Sequence, residues 1–346
     1  MKTMFQKLRP YQQEAVDAVL QDFSNGTTRQ LICIPTGGGK TIITMTITKE
    51  LNTKTLFIAH RGELLIQAKS TAELLIPNAN VGIFQGQERD GLYSTICFAT
   101  IQTARQNIEG LQKQGYKLII CDEAHHAASK SYTELFDGLG FMNNDKDKLL
   151  LGVTATPFRN DKLGLGNIFE KIVYEKNIAY MIENGYLCDV RGLNIDTGMK
   201  LQGIKDRAGD FAVNELSKVI NVQDRNKLIV DMYIDKGENR RGVAFCVNIP
   251  HAVSLAEEFN KQGIKSKAVY GTMSYEERKN ILVDYANGKV DIITNVGILT
   301  EGWDAPCTSI IMMARPTKSK ILYIQCIGRG LRMELVEYTF LRKIPT

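Results

Sequence analysis

The chain has 346 residues, which at roughly 150 residues per domain is length enough for two domains that each bury a core. With 44% hydrophobic and 23% charged residues its composition is that of an ordinary globular protein, excluding a disordered chain, a collagen-like repeat or a disulfide miniprotein. Its 43 Lys and Arg against 38 acidic residues leave a net charge of +5, too little to draw in a polyanion through long-range field alone, so any nucleic-acid reading has to come from motifs.

The N-terminus lacks a secretory apolar core, and no apolar run approaches the roughly 18 residues of a membrane span. Short apolar runs at 31–34, 55–59, 94–99, 117–121 and 149–153 alternate with polar or helical segments, the rhythm of a buried parallel sheet. A helical pattern over 178–185 ends in glycine, and 193–209 is a polar, glycine-punctuated stretch of weak periodicity. The rhythm restarts at 242–247, 265–270, 290–294 and 309–313. The sequence thus predicts two α/β units in tandem, 1–186 and 187–346. The seven cysteines are odd in number, scattered and mostly within apolar runs, without a CxxC pair, and read as reduced thiols in a cytoplasmic protein.

Pro35-Thr36-Gly37-Gly38-Gly39-Lys40-Thr41 lies between a predicted strand and a predicted helix. Glycines there let backbone N–H groups converge on phosphate, the lysine reaches the β and γ phosphates, and the threonine hydroxyl can ligate Mg²⁺. The strict phosphate-loop spacing would put a first glycine where Ile34 stands. A glycine-rich surface turn is the rival reading, but it needs neither the strand before it nor Lys-Thr after it.

Asp122-Glu123-Ala124-His125 follows the run 117–121, which puts two carboxylates at the carboxyl end of a strand, where parallel sheets bind ligands. Alone, such a pair is more often a helix N-terminal charge pair. With a phosphate loop in the same sheet, Asp122 suits Mg²⁺ and Glu123 suits a water-orienting base. His125 and His126 are adjacent, so they cannot ligate a metal from one helix face, and a polar contact to another motif is the plainer role.

Gln325, Arg329 and Arg332 stand at i, i+4 and i+7, one face of a helix if the helix continues through them. Gly328 and Gly330 oppose that helix by roughly 1 kcal/mol each and favour a surface of close approach. Arginine suits the delocalised charge of a transferring phosphoryl group, whereas a solvated basic face is the reading from this segment alone.

Together these motifs resemble those of the superfamily 2 DEAD/DEAH-box helicases and translocases. The likeness is to the XPB-like group in particular, with RadD, phage UvsW and the motors of type I and III restriction enzymes. It runs from about Leu8 to Arg332. Leu8-Arg9-Pro10-Tyr11-Gln12 is similar to the adenine-reading segment, and 59–64 and 99–103 to segments that contact the nucleic-acid backbone. Asp122 to His125 resembles the DEAH form of motif II, and Thr154-Ala155-Thr156-Pro157 the motif that couples hydrolysis to domain movement. In the second half, 245–247, then 294–297 with 301–306, and then 325–332 resemble motifs IV, V and VI.

The resemblance implies two tandem RecA-like domains, each a mostly parallel sheet flanked by helices, with ATP in the cleft between them. It implies catalytic roles for Lys40, Asp122, Glu123, Gln325, Arg329 and Arg332, and Mg²⁺ on Thr41 and Asp122. Nucleotide contacts fall to Arg9, Gln12, Gly302 and Asp304 besides the residues from Pro35 to Thr41. His60, Arg61, Thr100, Thr272, Thr294 and Asn295 would lie along a nucleic-acid backbone, Thr272 on the loosest match; for Thr100 and Thr294 strand-end capping is an equal reading. Thr154 and Thr156 would couple the two events. The implied protein is a cytoplasmic, Mg²⁺- and ATP-dependent DNA helicase or duplex translocase of repair, recombination or replication. It would sit on no membrane and have protein partners supplying specificity. The alternatives are an RNA helicase, a restriction-system motor and a nucleotide-dependent binding module with little turnover.

Two features depart from the pattern. Residues 333–346 lack the family's glycine-containing turn and last strand, so the second sheet is expected to be short of an edge strand. Arg207-Ala208-Gly209-Asp210-Phe211 recurs in relatives, yet the sequence assigns it no physical role.

Overall fold

The structure is a computed structural model that describes residues 7–156, 164–195, 203–207, 209–300, 302–303 and 305–332. The chain forms two compact units. One comprises Met1–Glu183 with Glu301–Trp303 and Ser319–Gln325, the other Asn184–Thr300, Asp304–Lys318 and Cys326–Thr346.

The first unit is built on β1 (Arg29–Cys33), β2 (Thr55–Ala59), β3 (Val81–Phe84), β4 (Ile96–Thr100), β5 (Leu118–Asp122), β6 (Leu149–Thr154) and β7 (Lys171–Glu175). They form one seven-stranded sheet in the order β3-β4-β2-β5-β6-β1-β7, with every pairing parallel. Strands covered on both faces can be apolar throughout, and β2, β4 and β6 are buried along their whole length. Rings of Phe57 and Phe98 meet across β2 and β4 at 5.4 Å. The five interior strands stand where the apolar runs predict them, within two or three residues. The edge strands β3 and β7 were not foreseen.

The second unit contains a short antiparallel hairpin, β8 (Asp206–Arg207) and β9 (Asp210–Phe211), which begins in the weakly periodic stretch 193–209 and ends just beyond it. Its sheet is again parallel: β10 (Gly242–Phe245), β11 (Ser266–Val269), β12 (Ile292–Asn295) and β13 (Ile310–Met312), in the order β11-β12-β10-β13. Its core joins Val230, Tyr233, Ala244, Leu255, Phe259 and Ile292. The expectations for the chain after Arg332, for Asp304, for Pro157 and for Ala208 lie outside the described residues. Among the described residues no helix is long and apolar enough to cross a membrane.

One expectation is corrected. Gln325, Arg329 and Arg332 do not share a helical face, because the helix Lys320–Ile327 ends before Arg329. Gly328 and Gly330 remove the helix propensity, and at Gly330 the backbone passes so close to β13 that a Cβ would meet Ile311 Cγ1 at 2.7 Å. The close-approach reading holds there and the continuous helix does not.

His251 gives the second unit a pH dependence. Asn248 caps the helix Ile249–Lys261 by accepting the His251 backbone N–H at 3.0 Å, while the imidazole is fully buried and accepts the Val247 N–H on Nδ1 at 3.3 Å. Burial pushes the imidazole down to about 4. Between the unfolded value of about 6.5 and this one the unfolded chain binds a proton that the folded chain refuses, so stability rises with pH across the window. Acidification through it should cost up to about 3 kcal/mol. Denaturant melts at pH 7 and 4.5 should show this loss in the wild type and a smaller one in His251→Gln; equal losses would contradict it.

Candidate functional site

Three neighbouring strands of the first sheet deliver the site. β5, β6 and β1 lie side by side and parallel, with Cys33 in register with Thr154 and Asp122 with Val153. The chain segments leaving β1, β5 and β6 therefore start from one edge, the carboxyl edge, at nearly one level. They are the glycine loop, the Asp122-Glu123 pair and the Thr154–Thr156 turn.

The loop between β1 and the helix Lys40–Leu51 is shaped by its glycines. Gly37 and Gly39 take φ of +86° and +73°, the left-handed region that side chains disfavour. At Gly38 the constraint is contact, since a Cβ would lie 2.3 Å from Ile34 Cγ2. Ile34, where a generic phosphate loop has glycine, is fully buried and anchors the loop floor. The resulting turn leads into the N-terminus of a 12-residue helix whose first residues are Lys40 and Thr41, so N–H groups and helix dipole converge on one spot. Pro35 and the buried Thr36 form the wall, and Thr36 Oγ1 has no hydrogen-bond partner among the described residues. Lys40 Nζ rests 3.5 Å from the Ile34 carbonyl.

The N-terminal helix Pro10–Ser24 holds this loop from outside. Tyr11 Oη donates to the Gly38 carbonyl at 2.9 Å, and a Cβ on Gly39 would come within 2.5 Å of Gln12 Nε2. Arg9 caps that helix in an extended conformation, and its N–H donates to Gln12 Oε1 at 2.9 Å. Gln12 thus stands at the phosphate loop, with Arg9 beside it. The part of Tyr11 was missed in the sequence, though a fully buried phenol needs a partner for its hydroxyl.

At the tip of β5 two carboxylates are forced together. Glu123 takes φ +48°, a conformation that costs a non-glycine residue about 1–2 kcal/mol. It turns the chain sharply into the short turn Ala124–His126. Burial, and then the charge of Glu123, raises the Asp122 carboxyl above its ordinary range, against the pull of Lys40, the Glu123 N–H at 3.0 Å and His60. Crowded anionic charge beside a lysine is what a bound dication relieves.

Glu123 is buried, and its Oε2 lies 3.4 Å from His125 Nδ1. The same nitrogen is 3.4 Å from Thr154 Oγ1, which donates to the Thr156 carbonyl at 2.9 Å and accepts the Thr156 N–H at 3.1 Å. The expected base and the expected coupling motif are therefore linked through one imidazole. His126 lies between His125 and His60 in tilted ring contacts, with centroids at 4.1 and 5.0 Å, and Arg61 Nε donates to His60 Nε2 at 3.1 Å. The contact to another motif expected of these two histidines is thus made, by His125 to Thr154 and by His126 to His60, although the spacing named neither partner.

The residues expected along nucleic acid divide. His60 and Arg61 are half-exposed where β2 ends, and Thr272 is exposed in the turn after β11. Thr100, at the end of β4, is buried, and its hydroxyl donates to Thr103 Oγ1 at 3.0 Å. Thr294 and Asn295 are fully buried, with Thr294 Oγ1 donating to the Ala252 carbonyl at 2.7 Å and Asn295 Nδ2 to the Ala244 carbonyl at 3.1 Å. These two side chains are spent on the interior of β12 and its neighbours, so they offer a phosphate nothing. For these two side chains the expectation is corrected, and Thr294 bonds across to the helix Ile249–Lys261 rather than capping a strand end.

In the second half, Gly302 takes φ +73°. Gln325 lies on the helix Lys320–Ile327 and is buried. Arg329 is also buried, and its Nε and Nη2 both donate to the Thr300 carbonyl at 3.1 and 2.6 Å. Burial pushes the Arg332 guanidinium down to about 10, which leaves it cationic at neutral pH.

Comparison with known proteins decides the family. Residues 5–159 match the family described as "Type III restriction enzyme, res subunit", and residues 224–334 match "Helicase conserved C-terminal domain". The chain is 34% identical over 340 residues to a Saccharomyces cerevisiae protein named as an ATP-dependent helicase, IRC3, across 94% of this chain and 49% of that protein. The chain belongs to the superfamily 2 helicases. A second relative in this superfamily, the DNA 3′-5′ translocase XPB2 of Sulfurisphaera tokodaii, is 26% identical over 94% of this chain and 79% of its own length. The helicase domain of Pyrococcus furiosus Hef has the same fold with a TM-score of 0.57 and 18% identity, over 94% of this chain and 93% of that one. Both parallel sheets of this superfamily 2 chain are thus RecA-like. The chain spans about half the length of the yeast relative.

Proposed function

We propose that the chain is an ATP-driven motor that moves on DNA, as a helicase or a duplex translocase, in repair, recombination or replication. The observation that carries this reading is the delivery of a phosphate loop, an Asp-Glu pair and a threonine turn to one sheet edge by adjacent strands. Kinship to a protein named as a DNA translocase supports DNA over RNA.

The first unit's residues fit ATP and Mg²⁺. The glycine loop leaves room where a Cβ would clash, Thr36 Oγ1 is buried and unpartnered among the described residues, and the raised Asp122 carboxyl is eased by positive charge. Thr41 and Asp122 would hold Mg²⁺, which when bound supplies positive charge at the β and γ phosphate oxygens. Lys40 and the loop N–H groups neutralise the same oxygens as negative charge shifts toward the β phosphate. Glu123 takes a proton from the water that attacks the γ phosphorus, the bond from that phosphorus to the bridging oxygen breaks, and ADP and phosphate leave. Through His125 the base is tied to Thr154 and Thr156, so a change at the γ phosphate reaches the exit of β6. Arg9 and Gln12 serve the adenine, and Gly302 and Asp304 serve the nucleotide from the second half. His60, Arg61, Thr100 and Thr272 are assigned to the phosphate backbone, contacts that position without reading sequence.

Gln325, Arg329 and Arg332 are assigned to the γ phosphate. Arg329→Ala and Arg332→Ala should each lower kcat at least about a hundredfold while changing the KM for ATP far less, because such arginines act on charge that develops in the transition state. Initial-rate kinetics check this; a rise in KM at unchanged kcat would make them nucleotide-positioning residues only.

The seven free cysteines, five of them buried, suit a reducing, cytoplasmic setting. Protein partners supplying specificity, a restriction-type nuclease among them, belong to the same proposal. ATPase assays with DNA and RNA of matched length separate the DNA motor from its RNA counterpart: DNA should stimulate more, and a reversed preference would replace the reading.

A further inference from the structure

The hairpin β8–β9 presents Asp210, from the segment to which the sequence assigns no role. The Asp210 carboxylate is fully engaged. Oδ2 accepts from Arg315 Nη2 at 2.8 Å and from Thr317 Oγ1 at 2.9 Å, while Oδ1 accepts the backbone N–H of Lys318 at 2.8 Å and of Phe211 at 2.9 Å. Four donors fill the hydrogen-bonding capacity of one carboxylate, and three of them come from residues 315–318. The pair is largely shielded from solvent, with side-chain exposures of 16% for Arg315 and 17% for Asp210. Lys318 Nζ lies 4.7 Å above the Phe211 ring, and Phe211 is rooted in a cluster with Leu216, Ile220 and Val247. The hairpin is thus anchored at its base and clamps the loop at its tip.

That loop joins β13 to the helix Lys320–Ile327. Ser319, directly after the clamped residues, accepts the Leu322 N–H on its Oγ at 3.2 Å and so marks where the helix begins. Gln325 lies on this helix and Arg329 in the turn after it. Arg315 and Arg329 both lie within electrostatic reach of Cys326, which is fully buried. Among the described residues Arg315 Nε is buried without a hydrogen-bond partner, so Asp210 carries much of the compensation of this guanidinium. Removing the carboxylate would leave a largely shielded guanidinium without its counter-charge, an unfavourable arrangement. The loop would have to shift to relieve it.

We propose that Asp210 is a positioning residue for ATP turnover: by clamping residues 315–318 to the β8–β9 hairpin it fixes the start of the helix that bears Gln325 and leads to Arg329. The inference rests on the γ-phosphate role assigned above to those two side chains. A displacement of about 1 Å at a reacting centre costs on the order of a hundredfold in rate, so the clamp acts on kcat.

The experiment uses the full chain with Asp210→Asn, which keeps the side-chain shape and loses the charge, and Thr317→Ala, which removes one hydrogen bond. Three quantities are read: nucleic-acid-stimulated kcat and KM, thermal melting, and amide hydrogen exchange over residues 314–327. Asp210→Asn should lower kcat at least about tenfold with the KM for ATP within about threefold and speed exchange across 314–327; Thr317→Ala should do the same to a smaller degree. Unchanged kcat, or a loss that merely tracks the unfolded fraction in the melts, would overturn the proposal. If Asp210→Asn fails to fold, Thr317→Ala decides by the same criteria. If the wild type shows no turnover, the motor reading fails, and the exchange comparison still decides whether Asp210 fixes the helix start.

Discussion

Lys40→Ala is expected to reduce ATP hydrolysis by at least about a thousandfold. The ammonium stands at the first position of the helix Lys40–Leu51, at the end of a loop whose glycines aim N–H groups at the same point. It is close enough to Asp122 to pull down that carboxyl against burial and Glu123. Removing it takes a full positive charge from where the transferring phosphoryl group develops negative charge, and leaves the two carboxylates facing that charge alone. Steady-state phosphate release measures the loss. A variant hydrolysing ATP at the wild-type rate would mean that the glycine loop does not hold the reacting phosphates. Folding should be preserved, because the helix is held by the buried Ile43, Met45 and Ile47, whereas Lys40 Nζ rests at a long 3.5 Å from the Ile34 carbonyl.

Glu123→Gln should separate chemistry from binding. The amide keeps the shape of the side chain beside His125 but cannot take a proton from water, so kcat should fall by about two to four orders of magnitude. Nucleotide affinity should stay within a few-fold, because Asp122 and Thr41 remain to hold the metal. A fluorescent ADP analogue reads the affinity and single-turnover hydrolysis reads the chemistry. Loss of nucleotide binding with little change in the chemical step would exchange the roles assigned to the two carboxylates.

Much of the fold was legible because its interior strands are short apolar runs between polar segments. The edge strands are the ones that escaped. β7, of sequence KIVYE, has no buried residue, and β3 is four residues long with a glycine inside it. β7, paired on one side only and half in water, has no need of a continuous apolar run, whereas β3 is apolar and mostly buried but too short and glycine-interrupted to stand out. The hairpin β8–β9 escaped for a different reason: two-residue strands carry no periodicity, and its stability comes from Asp210 hydrogen bonds to residues more than a hundred positions away.

The site was legible where function depends on backbone shape and residue type in one short stretch, as in Pro35 to Thr41 and Asp122-Glu123. Long-range contacts were not readable: Tyr11 on the Gly38 carbonyl, His126 between two imidazoles, Arg329 on the Thr300 carbonyl. Two expectations failed on physics that spacing does not encode. The arginine spacing fits a helix, but close approach to β13 and two glycines end that helix early. Thr294 and Asn295 have polar side chains and point to opposite faces of the sheet, yet both are buried because β12 is an interior strand covered on both faces.

If ATP turnover at this sheet edge is coupled to nucleic acid, the rate of phosphate release by the wild-type chain with and without duplex DNA will show it. Hydrolysis should be slow alone and stimulated at least about tenfold by duplex, and both should be abolished in Lys40→Ala. ATP bound with normal affinity but not turned over, with or without nucleic acid, would contradict it and make the chain a nucleotide-gated binding module.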